Sequence, residues 1–169
     1  MDLVIAGGTV VTAEGTFLAD VGIREGRIAA VGQDLAGLRR LDARGRLVTP
    51  GGVDPHVHLQ YHVGGLYTAD DFASGTRAAA LGGTTTVLDF VEAGPGQDLL
   101  EALQDRRLKA APRAVIDYGF HMTIQPADLV RLDQVAGVVR AGCPTFKHFM
   151  AYGFRLDDGE LLTSFRALA

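Results

Sequence analysis

The sequence has almost no cysteine, no excess of positive charge and no long apolar run, and each shortage removes a class of protein. Cys143 is the single cysteine in 169 residues. An internal disulfide is therefore excluded, and a reducing compartment, the cytoplasm, is expected. The formal net charge of −4 offers no basic surface, so neither nucleic acid nor a membrane is expected as partner. Apolar stretches are strand-length and broken by Gly, Asp or His, too short to span a bilayer. Met1-Asp2-Leu3-Val4-Ile5 lacks the basic segment and apolar run of a signal peptide. No G-x-G-x-x-G or G-x-x-x-x-G-K occurs, so no phosphate-cradling loop is expected. What is present, 47% hydrophobic and 21% charged residues, suits a soluble globular protein with a real core.

Residues 1–49 read as a small β domain. Leu3–Ile5, Thr9–Thr12, Phe17–Ile23 and Arg27–Val31 are apolar, β-branched runs, separated by turn signals at Gly7-Gly8, Glu14-Gly15 and Glu25-Gly26. Such a meander has one apolar face, and no cover for it is visible within these residues. From residue 50 onward the rhythm becomes strand then helix, four times over. The expected strands are Val53–His58, Thr84–Val91, Ala114–Thr123 and Thr145–Ala151. The expected helices are Ala69–Leu81, with Asp70-Asp71 in its first turn, then Gln97–Lys109, Pro126–Arg140 and Glu160–Leu168. The strands are nearly continuous apolar runs, as in a parallel sheet covered on both faces. Half of a (β/α)8 TIM-type barrel and a doubly wound sheet both fit this rhythm. A closed barrel takes about 250 residues, more than residues 50–169 supply.

Two features carry chemistry. Pro50-Gly51-Gly52-Val53-Asp54-Pro55-His56-Val57-His58 places His56 and His58 two residues apart, which on a strand puts both rings on one face. Two neutral imidazoles at the C-terminal end of a barrel strand make half of a zinc-type site; the plainer reading packs one ring in the core and turns the other to solvent. Lys147, within Pro144–Ala151, lies inside a strand that should be covered. An ammonium there must lose its charge, find a partner, or be chemically modified. A desolvated lysine is a nucleophile that carbon dioxide converts to a carbamate, an anionic oxygen ligand able to bridge two metals. The competing reading has Lys147 snorkel to an edge or pair with an acid such as Asp89. Asp54 and Asp89 otherwise read as braces at strand ends, and Cys143 as unreactive.

The ordered set Pro50–Leu59, Asp70-Asp71-Phe72, Gly75-Thr76, Gly82–Thr85, Leu88-Asp89-Phe90 and Phe146–Tyr152 resembles the dihydropyrimidinase/D-hydantoinase family of the amidohydrolase superfamily, its N-terminal portion only. The resemblance implies a β-sandwich segment (residues 1–49) followed by the first half of a metal-dependent amidohydrolase barrel (residues 50–169, truncated). It also implies two zinc ions, with His56 and His58 on the more buried one and carbamylated Lys147 bridging both. Tyr152 would bind substrate and stabilise the oxyanion formed at the ring carbonyl. The full-length parent is expected to be a homo-oligomer, a tetramer, that opens a small cyclic amide such as hydantoin or dihydropyrimidine to an N-carbamoyl amino acid. The family's remaining metal histidines and catalytic aspartate lie on later strands, and His62, His121 and His148 match none of them. These residues alone are therefore expected to be inactive. His121 and His148 are read as packing on strands, and His62 as a loop or pocket residue. Related dihydroorotases place an arginine two residues after H-x-H to hold a carboxylate. Leu59-Gln60-Tyr61 stands here instead, favouring a neutral imide ring. Tyr61-His62-Val63 and Gly153 depart from the family's Met-Pro-Phe-like stretch and lysine, which alters the pocket rim. The alternatives are an inactive fragment and a non-enzymatic assembly protein of the same lineage.

Overall fold

The Gly7-Gly8 pair predicts a turn, yet Leu3–Thr12 runs through it as one ten-residue strand, β1. The pairing slips between Ile5 and Gly8, and Gly7 sits at φ +68°. One extra residue is thus absorbed in the left-handed conformation that glycine tolerates, a bulge rather than a reversal. Asp20 holds it, its Oδ1 accepting the Gly7 N–H at 2.7 Å. β2 (Gly15–Arg24) and β3 (Arg27–Gly32) follow antiparallel, as the meander reading requires. β4 (Arg39–Asp42) and β5 (Leu47–Val48) then add to β1 in parallel. That addition corrects the simple meander. These strands form the sheet of the first of two compact units, Met1–Pro50. Its small core is Val10, Ala19 and Val21, with Ile5 and Val48 packed against them.

The computed structural model describes residues 1–169, and the second unit is Gly51–Ala169. Its sheet consists of β6 (Gly52–Asp54), β9 (Thr84–Val91), β10 (Asp117–Ile124) and β11 (Thr145–His148), all parallel and in the order β11-β10-β9-β6. Strand order follows chain order with no reversal. A doubly wound sheet reverses its order at a switch point, so the sheet is singly wound, as a segment of barrel would be. A two-strand hairpin, β7 (His62–Val63) with β8 (Leu66–Tyr67), interrupts the first crossover. The helices are α1 (Phe72–Leu81), α2 (Leu99–Ala110), α3 (Val135–Arg140) and α4 (Asp158–Leu168). The core joins the sheet to them through Phe72, Val87, Leu99, Leu103, Met122, Ile124 and Val138.

Several expected boundaries move for identifiable reasons. β6 ends at Asp54 rather than His58, because Pro55 has no N–H for the ladder. α1 begins at Phe72 rather than Ala69. Asp71 is its cap, accepting Ser74 N at 2.8 Å while Ser74 Oγ receives the Asp71 N–H, so the acidic pair lies outside the first turn. β10 starts at Asp117, since the Ala110 carbonyl first takes the N–H groups of Arg113 and Ala114. The single helix expected over 126–140 is a 3-10 segment, Pro126–Gln134, followed by α3, with non-helical angles at Arg131. A side chain competes with the helical ladder there: Arg131 donates to Ala127 O. β11 stops at His148 instead of Ala151, and the following turn carries Tyr152 at φ +70°. No helix is long and apolar enough to cross a membrane.

Candidate metal centre at the C-terminal end of the parallel sheet

His56 and His58 lie in the loop that leaves β6, not on the strand. Several contacts hold that loop. Asp54 Oδ1 accepts the His56 N–H at 3.1 Å, and Val57 N donates to Leu88 O at 3.0 Å. Leu59 is buried in the core, its N–H donated to Asp89 Oδ1 at 3.3 Å. From β10, His121 Nε2 lies 2.9 Å from Pro55 O while its Nδ1 lies 2.6 Å from Thr145 Oγ1. A carbonyl only accepts, so Nε2 carries the proton and Nδ1 receives the Thr145 hydroxyl. His121 thus packs on its strand, as expected, and also ties the histidine loop to β11.

The two rings stand 5.2 Å apart, edge to face, and both rest on Phe90 of β9, at 4.5 Å for His56 and 4.7 Å for His58. The ammonium of Lys147, from β11, reaches the same ring at 4.0 Å and the Phe149 ring at 4.5 Å. The structure therefore brings His56, His58 and Lys147 together around one buried aromatic floor. Lys147 has no carboxylate partner. Asp89, the acid considered for it, is committed to Arg106 of α2. Asp89 sits within β9, wholly buried, where burial pushes its carboxyl up against the pull of Arg106.

Burial sets the electrostatics of His58 and Lys147. Burial, then the charge of Lys147, lowers the His58 pKa to about 4, and burial also lowers that of Lys147. His58 Nδ1 is buried with no hydrogen-bond partner, which suits a metal ligand. No third His, Cys, Asp or Glu joins them as a donor set. Lys147 is the candidate third donor beside the two histidines.

Tyr152 is the site residue the structure does not bring into this group. It is 72% exposed, and its ring meets Phe149 at 6.2 Å, one aromatic side chain removed from Lys147. His62 lies on the hairpin against Tyr67, beside a cavity of about 420 Å³ lined also by Tyr61, Glu92, Asp105 and Lys109. Tyr61 donates its hydroxyl to Glu92, and burial with that carboxylate holds the phenol well above its usual range. His148 packs inward, 2.8 Å from Ser164 Oγ. Cys143 is buried, its thiol donating to Phe120 O and its pKa raised by burial, so it is unreactive, as expected. Phe90, Glu92 and Arg106 are the residues sequence reasoning did not single out.

Residues 47–122 match the amidohydrolase family. The chain is 45% identical over 166 residues to the D-hydantoinase of Geobacillus stearothermophilus, covering 95% of this chain and 35% of that one. Among solved structures, D-hydantoinase from a Bacillus species superposes with a TM-score of 0.92 at 44% identity, covering 98% of this chain and 37% of the other. Dihydropyrimidinase from Brevibacillus agri gives 0.93 at 40% identity, covering 99% and 38%. The chain spans little more than a third of the length of the relatives it matches.

Proposed function

We propose that this chain, which spans just over a third of the length of the D-hydantoinases it matches, is part of a dihydropyrimidinase/D-hydantoinase-family amidohydrolase and carries half of a binuclear zinc centre for hydrolysing a cyclic amide or imide. The observation that carries the reading is the meeting of His56, His58 and Lys147 on the Phe90 ring. His58 offers a neutral, unpartnered ring nitrogen, and His56 the second imidazole. Lys147, held between two aromatic faces, is a partly desolvated amine whose pKa burial lowers against the charge of Glu92, and its neutral form is the one that adds carbon dioxide. When bound, the metal pair would supply Lewis acidity, lowering the pKa of water and polarising the ring carbonyl.

The chain's own residues then bind and orient. Phe90 excludes water beneath the donors, and His121 keeps the loop in register with β11. Tyr152 would donate its hydroxyl to the developing oxyanion, which requires its exposed turn to close over the ring of a bound substrate. Gln60 stands where a carboxylate-binding arginine would be needed, so the substrate class is a neutral dihydropyrimidine or hydantoin ring, opened to an N-carbamoyl amino acid. The parent enzyme in this reading is a cytoplasmic homotetramer. A non-enzymatic assembly protein of the same lineage is the rival, and the intact His56, His58 and Lys147 weigh against it.

The test is hydrolysis of hydantoin and dihydrouracil with zinc and bicarbonate, by the chain alone and joined to the remaining two thirds of a D-hydantoinase. Turnover is expected only in the joined form, abolished by a chelator. Lys147→Ala there should lose both metals together. Turnover by the chain alone, or two zinc ions retained without Lys147, overturns the reading.

A further inference from the structure

The buried ion pair between Arg106 and Asp89 has a job that holding α2 to β9 does not explain. Arg106 is 8% exposed and Asp89 not at all. The guanidinium Nε lies 2.8 Å from Asp89 Oδ2, and one terminal nitrogen bonds the same oxygen. That nitrogen also donates to Leu59 O, while the other reaches Gln60 O at 3.3 Å. Asp89 Oδ1 accepts the Leu59 N–H, so the pair holds the three consecutive peptide units between His58 and Tyr61. The Phe72 ring, 4.8 Å from the guanidinium carbon, closes the site from α1.

A buried ion pair is a poor way to glue a helix to a sheet, because apolar residues of similar volume usually do as well or better. Leu99 and Leu103 already do so on the same helix. What apolar residues cannot do is satisfy carbonyls on irregular backbone. Leu59 and Gln60 belong to neither strand nor helix, and Gln60 is held at φ +48°, unusual for a residue other than glycine. We propose that Arg106 and Asp89 form a positioning clamp that fixes the loop carrying His58, and so aims its ring at the metal site. The inference rests on the reading of His58 as a metal ligand.

Arg106→Lys is the informative variant. It keeps the charge and can keep the ion pair, but an ammonium lacks the planar fork that reaches Asp89 and two carbonyls at once. A second variant, Arg106→Gln with Asp89→Asn, removes both charges together and guards against misfolding from one stranded ion. Two readouts are taken on the 169-residue chain: amide hydrogen exchange, and Co2+ affinity from the visible absorption of the bound ion with bicarbonate present. Both variants should exchange Val57 and Leu59 at least about tenfold faster while Phe120 and Met122 in β10 stay protected. Their Co2+ affinity should fall roughly 10–100-fold, as for other groups that orient metal ligands. Unchanged loop exchange in a folded Arg106→Lys protein overturns the clamp, and so does equal loss of protection across β10, which would make the pair a general structural brace. If the loop loosens as expected but the unmodified chain binds no cobalt, the clamp stands and the metal reading fails.

Discussion

Replacing Asp89 by Asn should be among the most destabilising conservative changes in the protein, while the same change at Asp42 should do nothing measurable. Asp89→Asn strands the Arg106 guanidinium in a site where it is 8% exposed. Removing one partner of a buried pair costs about 3–5 kcal/mol, chiefly through the charge left behind. The low end applies, about 3 kcal/mol, because the amide oxygen can still accept the Leu59 N–H and the guanidinium keeps its two carbonyls. With a urea slope of about 2 kcal/mol/M, the unfolding midpoint should fall by roughly 1.5 M. The control pair is better endowed with hydrogen bonds yet faces water: the Arg44 side chain makes three to Asp42 and its backbone N–H a fourth, lowering the Asp42 pKa to about 2. Their side chains are 81% and 59% exposed, and solvent-exposed pairs contribute little. Urea unfolding followed by circular dichroism at pH 7 separates the two. A midpoint for Asp89→Asn within about 0.3 M of the unmodified protein, less than 1 kcal/mol at that slope, would refute the reasoning. An equal fall for Asp42→Asn would refute it too.

Three further outcomes follow from named contacts. Gly75→Ala adds a methyl group that collides with the buried Leu59 side chain and approaches Asp70 Cβ at 3.3 Å; overpacking of about 1–3 kcal/mol should outweigh alanine's helical gain of about 1 kcal/mol, and a raised melting temperature would contradict this. The lowered His58 pKa means that between about pH 4 and its ordinary value of 6.5 the unfolded chain binds more protons. Stability should therefore rise with pH across that window and level off above it; His58→Asn should flatten the rise, and an unchanged slope would remove His58 as its source. β6 and β11 each leave one side unpaired, and Val53 at the β6 edge is 61% exposed. Such edges invite pairing, so the chain should self-associate with concentration in sedimentation; a monomer at every concentration would show that the edges are silent.

The parts of the fold legible in the sequence are those whose cause is local. β9 spans Thr84–Val91 as expected, because a β-branched run begins at a Gly-Gly stop and contains no proline. The bulge in β1 was not legible. Gly7-Gly8 permits a reversal and a bulge equally, and the choice is made by Asp20, thirteen residues away. β4 was invisible for a different reason: Arg39-Arg40-Leu41-Asp42 is exposed throughout, shows no alternation, and exists only because β1 offers it a parallel edge. Pro55, by contrast, carried a signal that the expected strand Val53–His58 ran through. A residue without an N–H cannot continue the ladder, so the histidines had to lie beyond β6.

The site divides the same way, with one difference. Nothing in the sequence could show that Phe90 gathers the donors, since a phenylalanine in a strand is ordinary core, and its closeness to Lys147 depends on how β9, β10 and β11 line up. The clamp was missed, although a signal for it was present. Leu99, Leu103, Arg106 and Ala110 recur at helical spacing, so Arg106 falls on the buried stripe of α2. An arginine there needs a buried acid, and Asp89, inside an apolar strand immediately before that helix, was the available one. Pairing Asp89 with Arg106 then removes it as a partner for Lys147. Its ammonium is seated instead over the Phe90 and Phe149 rings, and Phe90 carries His56 and His58 as well.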